Sequence, residues 1–483
     1  MSPRRSQATG PFRQVVTVSA ALAAVALVVA GGTVLQPQAA PVTVAQAPLV
    51  GRTTTVCTTT PDKEATATLS AIAVRKAPGR EGALTATELD SGSPLLTIEK
   101  QGFGEQKDAP AKPALLTGEG VMATAGSGAV SSRATKGEQS GLMAAPCAAP
   151  ATEQWFVGVG ANPAYRTELV LTNPDAGQAE VDLRFYGRDG IVVVPGSPGL
   201  MIEGGTSRTV SLDTLVTVQG PLTVSVRAST GRVSAVALNR RSLDFAPTGA
   251  DWQVSAVPPA HSVVIPGIPE GSGTRTLLVA NPGTNRAQVS VSVLGAAGGF
   301  APAGAETVEV PPESTAEVSM AQGLAGAAAG IQLTSDQPIT GSVISEAIGK
   351  DALPDIAIQS ASAPIVRTGV VPLVYLDKTD AQLVLSNGGD GDVPLTFEVY
   401  GYDGVKIHDD DVLLVPHATA TRRLTMGEAA YLVVSAPAGA TVMGGVTFLA
   451  NSGGIAGVAT LPVTSPDVAS RAPQVTFDPS VAR

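Results

Sequence analysis

At 483 residues the chain exceeds what one hydrophobic core serves, and a prior of about 150 residues per domain gives three or four. It is 44% hydrophobic but only 15% charged and 4% aromatic, with 53 Gly and 37 Pro, which suits many short strands and tight turns better than long helices. Net charge is -10, and beyond residue 35, where every carboxylate lies, 28 Lys+Arg minus 41 Asp+Glu leaves -13; nucleic acid and anionic lipid headgroups are therefore not expected partners.

In chain order, Arg4, Arg5 and Arg13 precede an uncharged run of 21 residues, Val15 to Leu35. A run of this length behind a basic tail predicts a transmembrane helix over 15–35 with residues 1–14 in the cytoplasm. The alternative is a cleaved signal sequence and a secreted product, although the candidate cleavage residues Ala40 and Ala47 are each followed by proline. Either way, the chain beyond this segment lies outside the cytoplasm. Residues 36–56 read as a linker. Cys57 and Cys147, the two cysteines, then predict one disulfide closing a β module over 57–150.

Three repeats come next. "LVLTNPDAGQAEVDLRFYGRDG" at 169–190 recurs as "LLVANPGTNRAQVSVSVLGAAGG" and "QLVLSNGGDGDVPLTFEVYGYDG", with Asn173, Asn281 and Asn387 spaced by 108 and 106 residues. Val181, Leu183 and Phe185 alternate with polar residues, as do their counterparts, so each copy predicts a strand with one buried face. Each copy also closes on an expected hairpin: "LTVSVRASTGRVSAVAL", "IQLTSDQPITGSVI" and "YLVVSAPAGATVMGGVTF". About seven strands per repeat predict tandem immunoglobulin-like antiparallel β-sandwich repeats at 151–258, 259–364 and 365–465, ahead of a tail at 466–483. A β-propeller with two blades per repeat is the alternative.

The turn residues read as structural. An Asn side chain bonds its own backbone two residues on, and Asp-Gly supplies the positive φ that a hairpin needs; the middle copy replaces that Asp with Ala. Asp390, Asp392, Asp409, Asp410 and Asp411 lack the spacing of a calcium loop. His408 and His417 lack a third ligand for zinc. No G-x-S-x-G elbow occurs and none of the nine lysines follows a serine at S-x-x-K spacing. Gly158 to Gly160 falls on a strand, not before a helix. No catalytic residue, metal ligand or cofactor is therefore expected. Trp155 and Trp252 read as core, which leaves Tyr186, Tyr400 and Tyr402, near the hairpin tips, as possible ligand contacts.

Taken together, "WFVGVG", "LVLTNP", "YGRDG", "TGADW", "IPGIPEG" and "LLVANP" resemble an uncharacterised actinobacterial family of exported or membrane-anchored proteins, a domain of unknown function. The resemblance implies a cell-envelope location and no established activity. The expectation is a non-enzymatic, membrane-anchored extracytoplasmic scaffold or protein-interaction protein, whose partner is an envelope protein. A module binding cell-wall glycan or exopolysaccharide is the alternative.

Overall fold

Alternation of apolar and polar residues becomes antiparallel strand almost throughout the described chain. The computed structural model describes residues 51–466, apart from 59–64, 75–79, 110–111, 125, 245, 351, 374–378 and 453–454. The expected transmembrane or signal segment, the basic tail and residues 467–483 lie outside the described residues. Among those described, no helix is long and apolar enough to cross a membrane. The expected linker gives way before its end to strand Arg52–Cys57, which pairs with Ala114–Glu119.

The strands group into four modules of two layers each; the layers are separate sheets in the first and fourth modules and parts of one continuous sheet in the second and third. In the module spanning 153–253, one layer orders Gly190–Val192, Ala179–Gly187, Val218–Thr230 and Glu153–Asn162, the last passing into the second layer where Asn162 and Ala161 pair with Tyr165 and Arg166. The other orders Thr206–Ser211, Tyr165–Asn173, Ser234–Leu243 and Ala246–Gln253. Val181, Leu183 and Phe185 from the first layer meet Leu169, Leu171, Ala235 and Ala237 from the second in one core. Each such Val, Leu or Phe contributes about 1.5–3 kcal/mol on burial. The 52–146, 260–360 and 368–462 stretches follow the same two-layer plan, with Ala329–Ala347 running through both layers of the 260–360 module.

The expected closing hairpins do not form. Val218–Thr230 and Ser234–Leu243 pair with different neighbours in opposite layers of one sheet, and Ala429–Ser435 and Val442–Ser452 pair in different sheets. In the third module a single strand, Ala329–Ala347, replaces the hairpin and changes layer near Pro338. A short polar turn can join two strands of one sheet or carry the chain across a core, and alternation is the same in both cases. The Asp-Gly-type turns do close hairpins: Gly187 faces Gly190, and Gly295 faces Gly298.

The asparagines make the crossings possible. Asn173, Asn281 and Asn387 are all buried. Each gives Nδ2 to the carbonyl four residues on (Gly177 2.7 Å, Asn285 2.7 Å, Gly391 2.8 Å) and to a second one 29 or 27 residues on (Ile202 3.1 Å, Val310 3.2 Å, Leu414 3.4 Å). Each Oδ1 accepts the N–H two residues ahead, from Asp175, Gly283 or Gly389. The third copy keeps this geometry with Gly in place of Pro, so the asparagine carries the motif.

In place of a row of separate sandwiches, the modules close into a four-bladed, propeller-like ring. One sheet of each ends on a strand at its centre: Gly141–Pro146, Ala246–Gln253, Asp355–Ser360 and Ile455–Pro462. These four neighbour one another in cyclic order, the last returning to the first. Each module thus supplies one blade, not two, and residues 52–146 supply the fourth. Tryptophans fill two seams. Trp252 lies among Met143, Ala145, Val170 and Leu238 between the first and second modules, and Trp155 lies among Tyr186, Val263 and Ile265 between the second and third. The expected Cys57–Cys147 disulfide is present. Closing a loop with a sequence separation of 90, it is worth on the order of 4 kcal/mol through lost denatured-state entropy.

Candidate functional site

The axis brings together residues that no sequence motif joins. At one level the four central strands carry Gly141, Gly249, Asp355 and Gly457. Asp355 is fully buried. Its Oδ2 accepts the N–H groups of Leu142 at 2.8 Å and Val458 at 2.9 Å, its Oδ1 that of Ile356 at 2.9 Å, and Ala250 gives a fourth. One carboxylate therefore accepts an N–H from every module, each from the residue following one of the four named. The glycines make room for it. A Cβ on Gly141, whose φ is 141°, would lie 2.2 Å from Asp355 Oδ1, and one on Gly249 would lie 2.7 Å from Asp355 Cα.

One level along sits Asp251, also buried, which accepts N–H groups from Trp252 at 2.9 Å, Ile358 at 2.8 Å and Ala144. Burial drives both carboxyls well above the usual carboxylate range, against the downward pull of these donors, and Asp355 raises Asp251 further. Nothing in the repeats marks these two. The available signal is an Asp inside an otherwise apolar closing strand, "TGADW" and "LPDIAI", at positions 104 apart, close to the repeat period.

Past Asp251 the axis opens into a cavity of about 530 Å³ to which all four modules contribute, through Pro146, Val254, Ser360 and Pro462 among others. Its lining is short apolar side chains, prolines and hydroxyls. Glu153 is the one ionisable side chain among the lining residues, and it accepts the Trp155 indole N–H at 3.0 Å. Gln359 gives its Nε2 to Thr460 Oγ1 at 3.2 Å, and Ser127 and Thr464 share a bond of 2.9 Å, so the polar lining is largely satisfied within the wall.

The three tyrosines do not converge on this cavity. Tyr186, expected at an exposed tip, is buried with its ring 5.7 Å from that of Trp155, because the hairpin tip of one module packs into the next. Tyr400 stacks on Tyr431 at 4.8 Å and bonds Glu398, and burial pushes its hydroxyl up to about 12. Tyr402 is 43% exposed and meets Phe103 edge-on at 5.2 Å, joining the fourth module to the first. Asp390 bonds His417, Asp410 bonds Arg422 and Asp411 bonds Thr396. Among the described residues no three His, Cys, Asp or Glu are placed to hold an ion.

Among solved structures the chain is similar to a glycosyl hydrolase family 2 member from Bacteroides cellulosilyticus DSM 14838. Identity is 9%, coverage 60% of this chain and 36% of that one, and the TM-score 0.12. A likeness this weak carries no argument about fold or chemistry. No match was found among curated proteins. A sequence family does match, described as a family of unknown function, DUF5719, over residues 104–425, and the protein belongs to that family.

Proposed function

We propose that the protein is a non-enzymatic interaction protein of the bacterial cell envelope, exported behind its 15–35 segment, which holds it to the membrane or is removed on secretion. On this reading each repeat is an immunoglobulin-like sandwich in which the last strand serves the ring. The ligand is an uncharged, largely apolar segment of an envelope protein, taken into the axial cavity. The observation that carries the reading is the cavity itself: all four modules build it, and prolines and short side chains line it with a single carboxylate. Pro146, Pro258, Pro364 and Pro462 around it offer apolar surface without N–H groups.

A photocrosslinking side chain in place of Ala363, an exposed lining residue, tests this in cells with the full chain. A single protein adduct is expected, lost when Ser360→Trp fills the cavity from its wall. An adduct indifferent to Ser360→Trp, or wall glycan recovered without protein, would overturn it. The glycan alternative rests on Tyr402, the one exposed ring of the three expected contacts.

A further inference from the structure

The outer sheets of the repeats end on comparable edges that are finished differently. In the second module the edge partner of Ala179–Gly187 is broken into Gly190–Val192 and Leu200–Ile202 by a stretch holding Pro195 and Pro198. In the third module the partner of Ala287–Gly295 is broken into Gly298–Phe300 and Thr307–Val310 around Pro302. Short, proline-interrupted edges are how β proteins avoid unwanted pairing. In the fourth module the edge is one unbroken strand, Lys406–Leu414, paired on one side to Val393–Gly401 and to no strand on the other among the described residues.

Its open side can be read from the register. Hydrogen-bonded and non-bonded pairs alternate along an antiparallel ladder. Pro394, opposite Leu413, has no N–H to give, so the bonded pairs are Leu395 with Val412, Phe397 with Asp410 and Val399 with His408. Asp409, Asp411 and Leu413 therefore turn their N–H and C=O groups to the open edge. Their side chains share the solvent face, where Leu413 is 62% exposed; Ile407, 44% exposed, is the extra residue of a bulge at which the pairing passes from His408 with Val399 to Lys406 with Tyr400. The edge thus presents Ile407 and Leu413 on either side of two exposed carboxylates, of which Asp409 lies 3.5 Å from Lys406 Nζ at the start of the strand and Asp411 accepts the Thr396 hydroxyl at 2.8 Å.

From this we infer that Lys406–Leu414 accepts an extended segment of a partner polypeptide as an added strand, with Lys or Arg opposite Asp409 and Asp411 and apolar side chains against Ile407 and Leu413. Charge selects against a second copy of this chain. The strand is centred on Asp410, so antiparallel self-pairing would set Asp409 opposite Asp411 of the other copy, a like-charge pair that destabilises. A basic partner reverses that sign. The inference stands apart from the axial cavity, which lies at the opposite sheet of the module.

The test uses the full chain and a capped peptide of alternating Val and Lys as long as the strand, with a Val and Glu peptide as control. The Val/Lys peptide should bind at physiological ionic strength and the control should not. Leu413→Pro removes an outward N–H without touching the ladder to Val393–Gly401 and should weaken binding at least about ten-fold. The Asp409→Lys, Asp411→Lys double variant keeps every N–H and should exchange the preference to the Val/Glu peptide. Failure of the Val/Lys peptide to bind, or equal binding by Leu413→Pro together with no exchange in the double variant, would overturn the proposal and leave the carboxylates as guards against association.

Discussion

Asn281 and Asp355 both satisfy buried backbone groups, but on different scales. The asparagine bonds carbonyls of its own turn and its own module, at Asn285, Val310 and Pro311. The aspartate gathers N–H groups from four modules. One device is local and made three times; the other is global and made once. The contrast teaches that repetition builds the blades while a unique residue joins them.

The largest break in that contrast should come from Asp355→Ala. It leaves four buried N–H groups without a partner, at about 1.5 kcal/mol each, so a loss of roughly 6 kcal/mol is expected. Chemical denaturation should show the modules separating before they unfold. Gly141→Ala should rank close behind, because its Cβ would lie 2.2 Å from Asp355 Oδ1 and its φ of 141° suits glycine. A thermal midpoint close to wild type would show that the first module does not need this approach to the axis.

Asn281→Ala should cost less, about 2–3 kcal/mol for carbonyls stripped of their donor. The loss should be confined to the 260–360 module, which limited proteolysis can localise. The smallest effect is the response to pH. Burial raises the Asp251 carboxyl in the folded protein, so its contribution is fully present below the usual carboxylate range, near pH 4, and is lost as pH rises through the raised value. Thermal midpoints of the wild type minus those of Asp251→Asn should therefore fall from pH 4 to pH 7. A difference that grows over that interval would mean the N–H donors outweigh desolvation.

The local device is legible in sequence because it recurs: Asn173, Asn281 and Asn387 stand at near-equal spacing before strands whose apolar residues superimpose. The strands themselves arise from the same alternation. Pairing was less legible. The segments around Gly231 and Gly439 look like hairpin turns, yet they carry the chain from one layer of the module to the other, and alternation is blind to that choice. Ring closure was legible least. Asp355 is aspartate where the other central strands have glycine, so a search for what the repeats share passes over it. The exposure of Tyr186 failed as an expectation for a related reason, since its neighbour Trp155 belongs to a seam that exists only once the modules meet.

Amide hydrogen exchange of Asp355→Ala beside Asn281→Ala tests most directly whether one carboxylate joins the blades. In Asp355→Ala the amides of Leu142, Ala250, Ile356 and Val458 should lose protection together, in all four modules, while in Asn281→Ala the loss stays within 260–360. Retained protection at Leu142, Ala250 and Val458 in Asp355→Ala would contradict a ring closed at its axis.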